Sequence, residues 1–216
     1  MKGAFNVNPP KPKHTFTWDI RVLLDHFKNC QNADMALKQL TIKTVSLLAI
    51  YSAQRCQTLS LLEIDNVKFT SNHVSIKVDH TIKQSRPGYT NPTLRFEEYV
   101  DKDICIVSCL KEYINRTNQL RESKWLLISY AKPHRGVSSA TISRWIKTAL
   151  GEAGIDTETF GAHSVRGASI SAAFNANMNI DDILKAGGWS NASTVATFYK
   201  RPVLDNAECY NTKLLQ

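Results

Sequence analysis

The sequence predicts a mostly helical domain of the α+β class with one small antiparallel β-sheet. Apolar residues recur at intervals of three and four along most of the chain, which is the period of a helix that buries one face. Two short stretches near the middle alternate between apolar and polar residues, as in a half-buried strand, and Pro87-Gly88 predicts a turn between them. The chain has 216 residues, 43% of them hydrophobic, so it can bury a substantial core.

The helical pattern before the sheet is interrupted at an arginine. A short helix is predicted near Trp18, and a longer one runs from Asp34 to about Ala53. A further helical face restarts at Leu59, so Arg55 is expected at a junction between two helices. The apolar residues of the first two faces are Trp18, Val22, Leu23 and Phe27, then Leu37, Leu40, Leu47, Leu48 and Tyr51.

The sheet is predicted from alternation within two stretches. Residues 73–79 place Val74, Ile76 and Val78 on one side, and the alternation returns at Leu94 and Phe96. Lys83 falls in or near the turn that joins them. We also interpret WLLIS, residues 125–129, as a short strand.

Five helices are predicted after the sheet, and polar residues or glycines mark several of their ends. Ser138 or Ser139 is expected as the N-cap of one helix and Asn179 as the N-cap of another. Gly187-Gly188 ends the helix that Asn179 begins. The remaining helices are expected over residues 106–114 and 162–176 and in the segment that ends near Tyr199.

The charge of the chain favours an anionic partner. The formal net charge is +8 and the isoelectric point is about 9.3, and nucleic acid is the commonest polyanion that such proteins bind. A solvated basic surface without a specific partner is the alternative. Five scattered cysteines without a CxxC pair are typical of thiols in a reducing compartment. Without a signal peptide or a membrane-spanning run, we expect an intracellular protein that makes no membrane contact.

Six polar or aromatic residues stand out because together they suit one reaction. Each alone has a structural explanation: His163 and Arg166, three apart on one helix face, could be a core histidine and a surface arginine. In combination they suit transfer of a DNA phosphoryl group to a tyrosine, because two guanidiniums can bind the phosphate oxygens bidentately. An imidazole and an ammonium can transfer protons, and an indole N–H can donate a hydrogen bond to a phosphate oxygen, so no metal or cofactor is needed. The six are Arg55, Lys83, His163, Arg166, Trp189 and Tyr199.

The order of these residues resembles the catalytic signature of the tyrosine recombinase (phage integrase) family. The segments LLAIYSAQRCQTLSLL, IKQSRPG, HSVRGAS and AGGWSNASTVATFYKRP look most like the recombinases of eukaryotic DIRS- and Ngaro-type retrotransposons. The resemblance runs from about Trp18 to Pro202. It implies the family's helical catalytic domain with a three-stranded sheet, double-stranded DNA as partner, no cofactor or metal, and a nuclear location. It also implies homo-oligomers, tetramers on paired DNA sites.

The resemblance also implies a role for each residue of the signature. Arg55 and Arg166 would hold the scissile phosphate, and Lys83 would be the general acid. His163 would assist proton transfer, and Tyr199 would be the nucleophile that forms a 3′-phosphotyrosyl link. Trp189 would occupy the family's histidine-or-tryptophan position, and the cations expected to contact DNA are Arg86, Lys200 and Arg201.

The chain departs from the bacterial pattern of this family in two positions. Thr58 stands three residues after the first arginine, where a carboxylate is common. The tyrosine comes ten residues after Trp189 rather than nine, and the ninth position is Phe198, which has no nucleophile. We therefore assign the nucleophile to Tyr199.

Composition and the resemblance together divide the chain into four parts. Residues 1–15 are expected to be a basic, proline-containing tail, and residues 16–33 the remnant of an amino-terminal helical domain that closes a clamp on DNA. Residues 34–205 are the catalytic domain and residues 206–216 a second tail. Three alternatives stay open at this stage: a domesticated DNA-binding protein without strand-transfer activity, a type IB topoisomerase-like enzyme, and a helical scaffold.

Overall fold

The fold is seen in a computed structural model that describes residues 15–28, 30–83, 85, 90–189 and 191–203. The predicted tails, apart from Thr15, lie outside these residues. So do Arg86 and the predicted turn at Pro87-Gly88.

Eight α-helices and three β-strands follow one another in the described part of the chain. Before the sheet come α1 Ile20–Lys28, α2 Leu37–Ser52 and α3 Cys56–Ser60. The strands are β1 Val67–Phe69, β2 His73–Lys77 and β3 Thr93–Glu97. The later helices are α4 Ile106–Thr117, α5 Ser139–Glu152, α6 Ala162–Asn175, α7 Ile180–Gly187 and α8 Ala192–Tyr199, and short 3-10 helices cover Ile64–Asn66 and Asn118–Leu120.

The sheet is antiparallel, with β2 between β1 and β3. Val74 lies opposite Phe96, and Ile76 lies opposite Leu94, so the apolar residues of both strands share the face that the core covers. This confirms the mostly helical class with a small antiparallel sheet. The loop between β2 and β3 carries Lys83.

The interpretation of residues 125–129 as a strand is wrong. Trp125 forms one isolated bridge with Glu63, and Ile128 forms another with Gly136. Leu126 and Leu127 between them are both buried. A strand sends neighbouring side chains to opposite faces, whereas this segment is surrounded by the core and shares its backbone hydrogen bonds between two separate partners.

The longest helix, α2, lies at the centre of the domain. Every residue from 40 to 50 is buried, because α4, α5 and α6 pack around it. The sequence predicted a single apolar face, and that prediction was too narrow because Thr41, Lys43 and Ser46 are buried as well. The hydroxyl of Thr41 donates a hydrogen bond to a backbone carbonyl of its own helix, which explains how a polar residue is tolerated there.

Lys43 is buried completely and links α2 to the end of α1. Its ammonium donates to the carbonyl oxygens of Phe27 at 3.3 Å and Cys30 at 2.6 Å. Burial lowers the pKa of this lysine, since the charged form loses its hydration. The two carbonyls compensate for part of that loss and fix where the chain leaves α1.

The segment predicted as a clamp remnant packs into the same core as the rest of the domain. Trp18, Leu23 and Phe27 are nearly or fully buried there. The indole nitrogen of Trp18 donates to the hydroxyl of Ser164 on α6 at 2.9 Å. The origin of this segment in an upstream domain stays a prediction, but its packing makes it part of the core.

The segment just before Trp18 also contacts the segment that follows α8. The backbone N–H of Thr17 donates to the carbonyl of Pro202 at 3.0 Å, and Thr17 forms a parallel bridge with Val203. Thr17 itself is buried. The segment that follows α8 is therefore attached to the beginning of the domain.

The last three helices form a smaller apolar cluster of their own. Ile170 of α6, Ile183 of α7 and Val195 of α8 meet Ala53 at the end of α2. The predicted N-cap residues are confirmed: Ser138 accepts a hydrogen bond from the backbone of Thr141, and Asn179 accepts one from Asp181. This small cluster packs α8 against α6 and α7.

Candidate active site

The candidate residues come from five separate parts of the chain. Arg55 is the N-cap residue of α3, His163 and Arg166 lie in the first turns of α6, and Trp189 follows α7. Tyr199 is the last residue of α8. The ends of helices α2, α7 and α8 meet α6 here, so the fold itself brings these positions together.

Arg166 is the buried centre of the site, with 2% of its surface exposed. Its Nη1 donates to the carbonyl of Ala53 and its Nη2 to the carbonyl of Gly187, each at 2.8 Å. Ala53 ends α2 in the left-handed conformation, with φ 49°, which is uncommon for a residue other than glycine. Two helix ends therefore fix the guanidinium plane before any ligand binds.

Trp189 and Tyr199 pack beside that guanidinium. The guanidinium carbon lies 3.7 Å from the centroid of the Trp189 ring and 5.8 Å from that of Tyr199. The two aromatic rings meet edge to face, with centroids 4.9 Å apart. Cation–π attraction and aromatic packing thus place the phenol beside a buried positive charge.

Gly187 makes room for the Trp189 ring. A Cβ atom at this position would overlap the six-membered ring of the indole. The next residue, Gly188, ends α7 with a positive φ of 69°, as the predicted Gly187-Gly188 helix end requires. The position of Trp189 over Arg166 therefore depends on the glycine before the turn.

We expect Gly187→Ala to destabilise the domain by about 1–3 kcal/mol, because the new methyl group must displace the Trp189 ring. Gly151→Ala is the matched control, since its Cβ would meet a neighbour only at 3.5 Å. That helical substitution should be neutral or stabilising by up to about 1 kcal/mol. Urea unfolding of both variants measures the difference, and equal stability of the two would contradict the steric argument.

His163 retains an exposed ring at the start of α6, yet its pKa is lowered. Partial desolvation is the largest cause, followed by the positive charges of Arg166, Arg55, Arg201 and Lys83. At neutral pH the imidazole is therefore mainly neutral and can accept a proton. The positive charges of these four residues therefore all oppose protonation of the His163 imidazole.

Arg55 and Lys83 are the other two candidate cations whose charges act on His163. Arg55 is half-buried, and its buried Nη1 has no hydrogen-bond acceptor among the described residues. Lys83 is exposed on its loop. A buried guanidinium nitrogen without an acceptor is costly in a folded protein, so this geometry favours an anionic ligand.

The predicted DNA-contacting residues are placed differently from one another. Lys200 is exposed and lies 5.8 Å from the ring of Phe174. Arg201 is half-buried and acts on the same imidazole as the other cations. Arg86 lies outside the described residues.

Sequence reasoning missed two residues that hold the tyrosine. The hydroxyl of Ser171 donates to the carbonyl of Tyr199, and the ring of Tyr199 lies over Gly167. Both residues belong to a helix rich in small residues, and that composition gave no reason to single them out. Their positions four and eight residues after His163, on the same face of the helix, were the available signal.

The described residues contain no group of three or more histidine, cysteine or carboxylate side chains arranged to hold a metal ion. In the same part of the chain, no helix is both long and apolar enough to cross a membrane. The chemistry available in the cluster is that of guanidinium, ammonium, imidazole and phenol groups, a set of groups that suits an anionic ligand.

The model of the phage integrase family matches residues 19–203. The fold is similar to that of XerA recombinase, with a TM-score of 0.64, 17% identity, and coverage of 94% of this chain and 64% of that one. It is also similar to XerH site-specific recombinase bound to difH substrate in a pre-cleavage complex, with a TM-score of 0.66, 14% identity, and coverage of 87% and 51%. A lambda integrase tetramer bound to a Holliday junction gives a TM-score of 0.52, 14% identity, and coverage of 92% and 52%.

These structural likenesses concern the fold, because the sequence identities are low. The chain spans 51% to 64% of the length of the three solved proteins. A search of curated protein sequences finds no significant match. The family match nevertheless extends over most of the chain and over all six candidate residues. The chain belongs to the phage integrase family.

Proposed function

We propose that the protein is a site-specific DNA recombinase that cleaves and rejoins DNA through a 3′-phosphotyrosyl intermediate. The observation that supports this most is the position of Tyr199. Its ring packs on Trp189 and lies 5.8 Å from the guanidinium carbon of the buried Arg166. A phenol beside a fixed guanidinium and near a neutral imidazole suits attack on a phosphodiester.

The reaction proceeds by exchange of one phosphorus–oxygen bond for another. The hydroxyl oxygen of Tyr199 attacks the phosphorus, and its proton passes to His163. The bond from phosphorus to the 5′-oxygen breaks, and that oxygen takes a proton from Lys83. Attack by a 5′-hydroxyl on the phosphotyrosine reverses these steps and rejoins the strand, so no external energy source is required.

The two arginines of the signature stabilise the transition state. Charge grows on the non-bridging phosphate oxygens during attack, and guanidinium groups that are already fixed in place stabilise it without reorganisation. Arg166 is fixed by two carbonyls, and Arg55 brings a buried N–H group that lacks an acceptor among the described residues. The indole N–H of Trp189 is a further donor for a phosphate oxygen.

The sequence of the segments around the signature residues supports a mobile-element origin for this enzyme. The segments around the signature resemble recombinases of DIRS- and Ngaro-type retrotransposons, and such an element would act on chromosomal DNA in the nucleus. The partner is double-stranded DNA. We propose assembly as a homo-tetramer on paired sites, which the lambda integrase tetramer on a Holliday junction supports by analogy.

A covalent-capture experiment tests the proposed function. The protein is incubated with a pool of nicked duplexes whose sequence is randomised around the nick, so that cleavage releases a short fragment and traps the adduct. The expected result is a protein–DNA complex that survives denaturation, with mass spectrometry locating the DNA on Tyr199. An adduct on another residue, such as Tyr210, would refute the assignment, and absence of any adduct would favour a DNA-binding protein without activity.

We expect DNA binding to be weak and steeply dependent on salt. The net charge of +8 provides the attraction, and each neutralised phosphate contributes about −0.9 to the slope of log K against log salt. Lys200→Ala should make that slope less negative by about 0.9, because the side chain is exposed. Fluorescence anisotropy at several salt concentrations measures the slope, and an affinity that does not change with salt would contradict this prediction.

A further inference from the structure

One stripe of α6 holds the backbone at the tyrosine and just after it. His163, Gly167 and Ser171 are four residues apart and so lie on one face of the helix. The hydroxyl of Ser171 donates to the carbonyl of Tyr199 and accepts a hydrogen bond from the backbone N–H of Arg201 at 3.3 Å. Residues 199–201 therefore lie against this stripe.

The side chain of Arg201 turns back toward α6 and approaches the same point on that helix as the tyrosine ring. Its Nη1 lies 3.9 Å from the point that a Cβ on Gly167 would occupy, and Cδ1 of Tyr199 lies 3.9 Å from the same point. The guanidinium and the phenol ring thus share the room that Gly167 leaves. Lys200, one residue earlier, is exposed instead.

The environment of Arg201 is that of a ligand-binding group rather than a surface cation. Its Nε is buried and has no hydrogen-bond acceptor among residues 15–28, 30–83, 85, 90–189 and 191–203. Burial lowers the pKa of this guanidinium, and its charge contributes to the lowered pKa of His163. A half-buried cation that shares a site with other cations needs an anion to offset its desolvation.

We propose that Arg201 is a third arginine of the active site, which donates its buried N–H group to a non-bridging oxygen of the scissile phosphate. This inference rests on the proposed function, because it assigns Arg201 to the phosphate that Tyr199 attacks rather than to the outer DNA backbone. Arg55 and Arg166 then share the developing negative charge with a donor from the segment that carries the nucleophile.

Inorganic phosphate tests the assignment without DNA. Phosphate is titrated into the full chain at constant pH and ionic strength while the NMR resonance of the His163 ring is followed, and His163→Gln identifies that resonance. Arg201→Ala should weaken phosphate binding by about tenfold or more, because a charged hydrogen bond is lost. Arg201→Lys should recover only part of the affinity, since an ammonium lacks the guanidinium fork.

Lys185→Ala is the matched control for charge. It removes one positive charge from an exposed position in the last turn of α7 and should leave phosphate affinity unchanged. Equal phosphate affinity in Arg201→Ala and the wild type would overturn the proposal. If Arg201→Ala does not fold, Arg201→Lys decides: an affinity equal to that of the wild type would also overturn it.

A methylphosphonate at the cleaved position separates charge stabilisation from a structural role. Replacing a non-bridging oxygen with a methyl group removes the negative charge that Arg201 would bind. Arg201→Ala should slow adduct formation about 10²–10³-fold on the natural phosphate and far less on the methylphosphonate. Equal losses on both substrates would overturn the proposal. If the wild type forms no adduct on any duplex, the proposed function fails, and the phosphate titration still decides the role of Arg201.

Discussion

Tyr199→Phe is expected to abolish covalent attachment to DNA while leaving the fold intact. The substitution keeps the ring that packs on Trp189 and covers Gly167, and it removes only the hydroxyl. That hydroxyl has no hydrogen-bond partner in the described part of the chain. The free energy of unfolding should therefore change by about 1 kcal/mol or less. Covalent capture on nicked duplexes, together with urea unfolding, measures both effects.

DNA affinity of Tyr199→Phe is the control for this prediction. Binding should be almost unchanged, because the expected backbone contacts come from cations such as Lys200. Ser193 and Thr194 lie more than one helical turn before Tyr199 on α8, so no nearby hydroxyl can replace the phenol. A variant that still forms adducts at the wild-type rate would show that Tyr199 only packs in the core.

Arg55→Ala and Arg166→Ala should each reduce strand cleavage about 10²–10³-fold, yet they should differ in stability. The side chain of Arg55 makes no hydrogen bond to the described residues, so its loss should change the free energy of unfolding by about 1 kcal/mol or less. Arg166→Ala removes the donor from the buried carbonyls of Ala53 and Gly187. We expect it to cost about 3 kcal/mol or more, since each buried group loses a charged partner.

The comparison of the two variants separates catalysis from structure. Cleavage is measured with enough protein to saturate the DNA, and unfolding by urea is measured on the same samples. Arg166→Lys is an informative control, because one ammonium cannot reproduce two guanidinium hydrogen bonds of fixed direction. If DNA binding falls as much as cleavage in Arg55→Ala, Arg55 is a docking cation and has no role in the transition state.

The sequence predicted most helices correctly because their apolar periods and caps are local. The helix that begins after Ser138 and the one that begins after Asn179 carry their own start signals, and the structure shows both caps. The strand β2 was predicted from its alternation, whereas β1 was missed. Three residues with a half-exposed pattern give no usable period, and β1 Val67–Phe69 has only that.

The period of the apolar residues in α2 could not predict that this helix is buried on all sides. Lys43 looks like a surface cation in the sequence, and only the carbonyls of Phe27 and Cys30 make its burial tolerable. Those acceptors lie 16 and 13 residues away, the first in α1 and the second just after it. Tertiary contacts of this kind leave no mark in a local pattern.

The candidate site was predicted as a set of residue types, and the structure adds how they are held. The sequence placed Arg201 beside Lys200 as one pair of cations, but the two side chains have different environments. Ser171 and Gly167 determine that difference, and neither has a distinctive chemistry on its own. The catalytic roles of the six signature residues stay predictions that the variants above test.

The attachment of Thr17 to Pro202 and Val203 has a mechanical consequence for a covalently bound DNA strand. A strand joined to Tyr199 would pull on a short segment that Ser171 anchors upstream and Thr17 anchors downstream. Tension on the DNA would pass through these anchors into the helical core instead of unravelling the end of the chain. The severed strand would thus stay within reach of the hydroxyl that must reseal it.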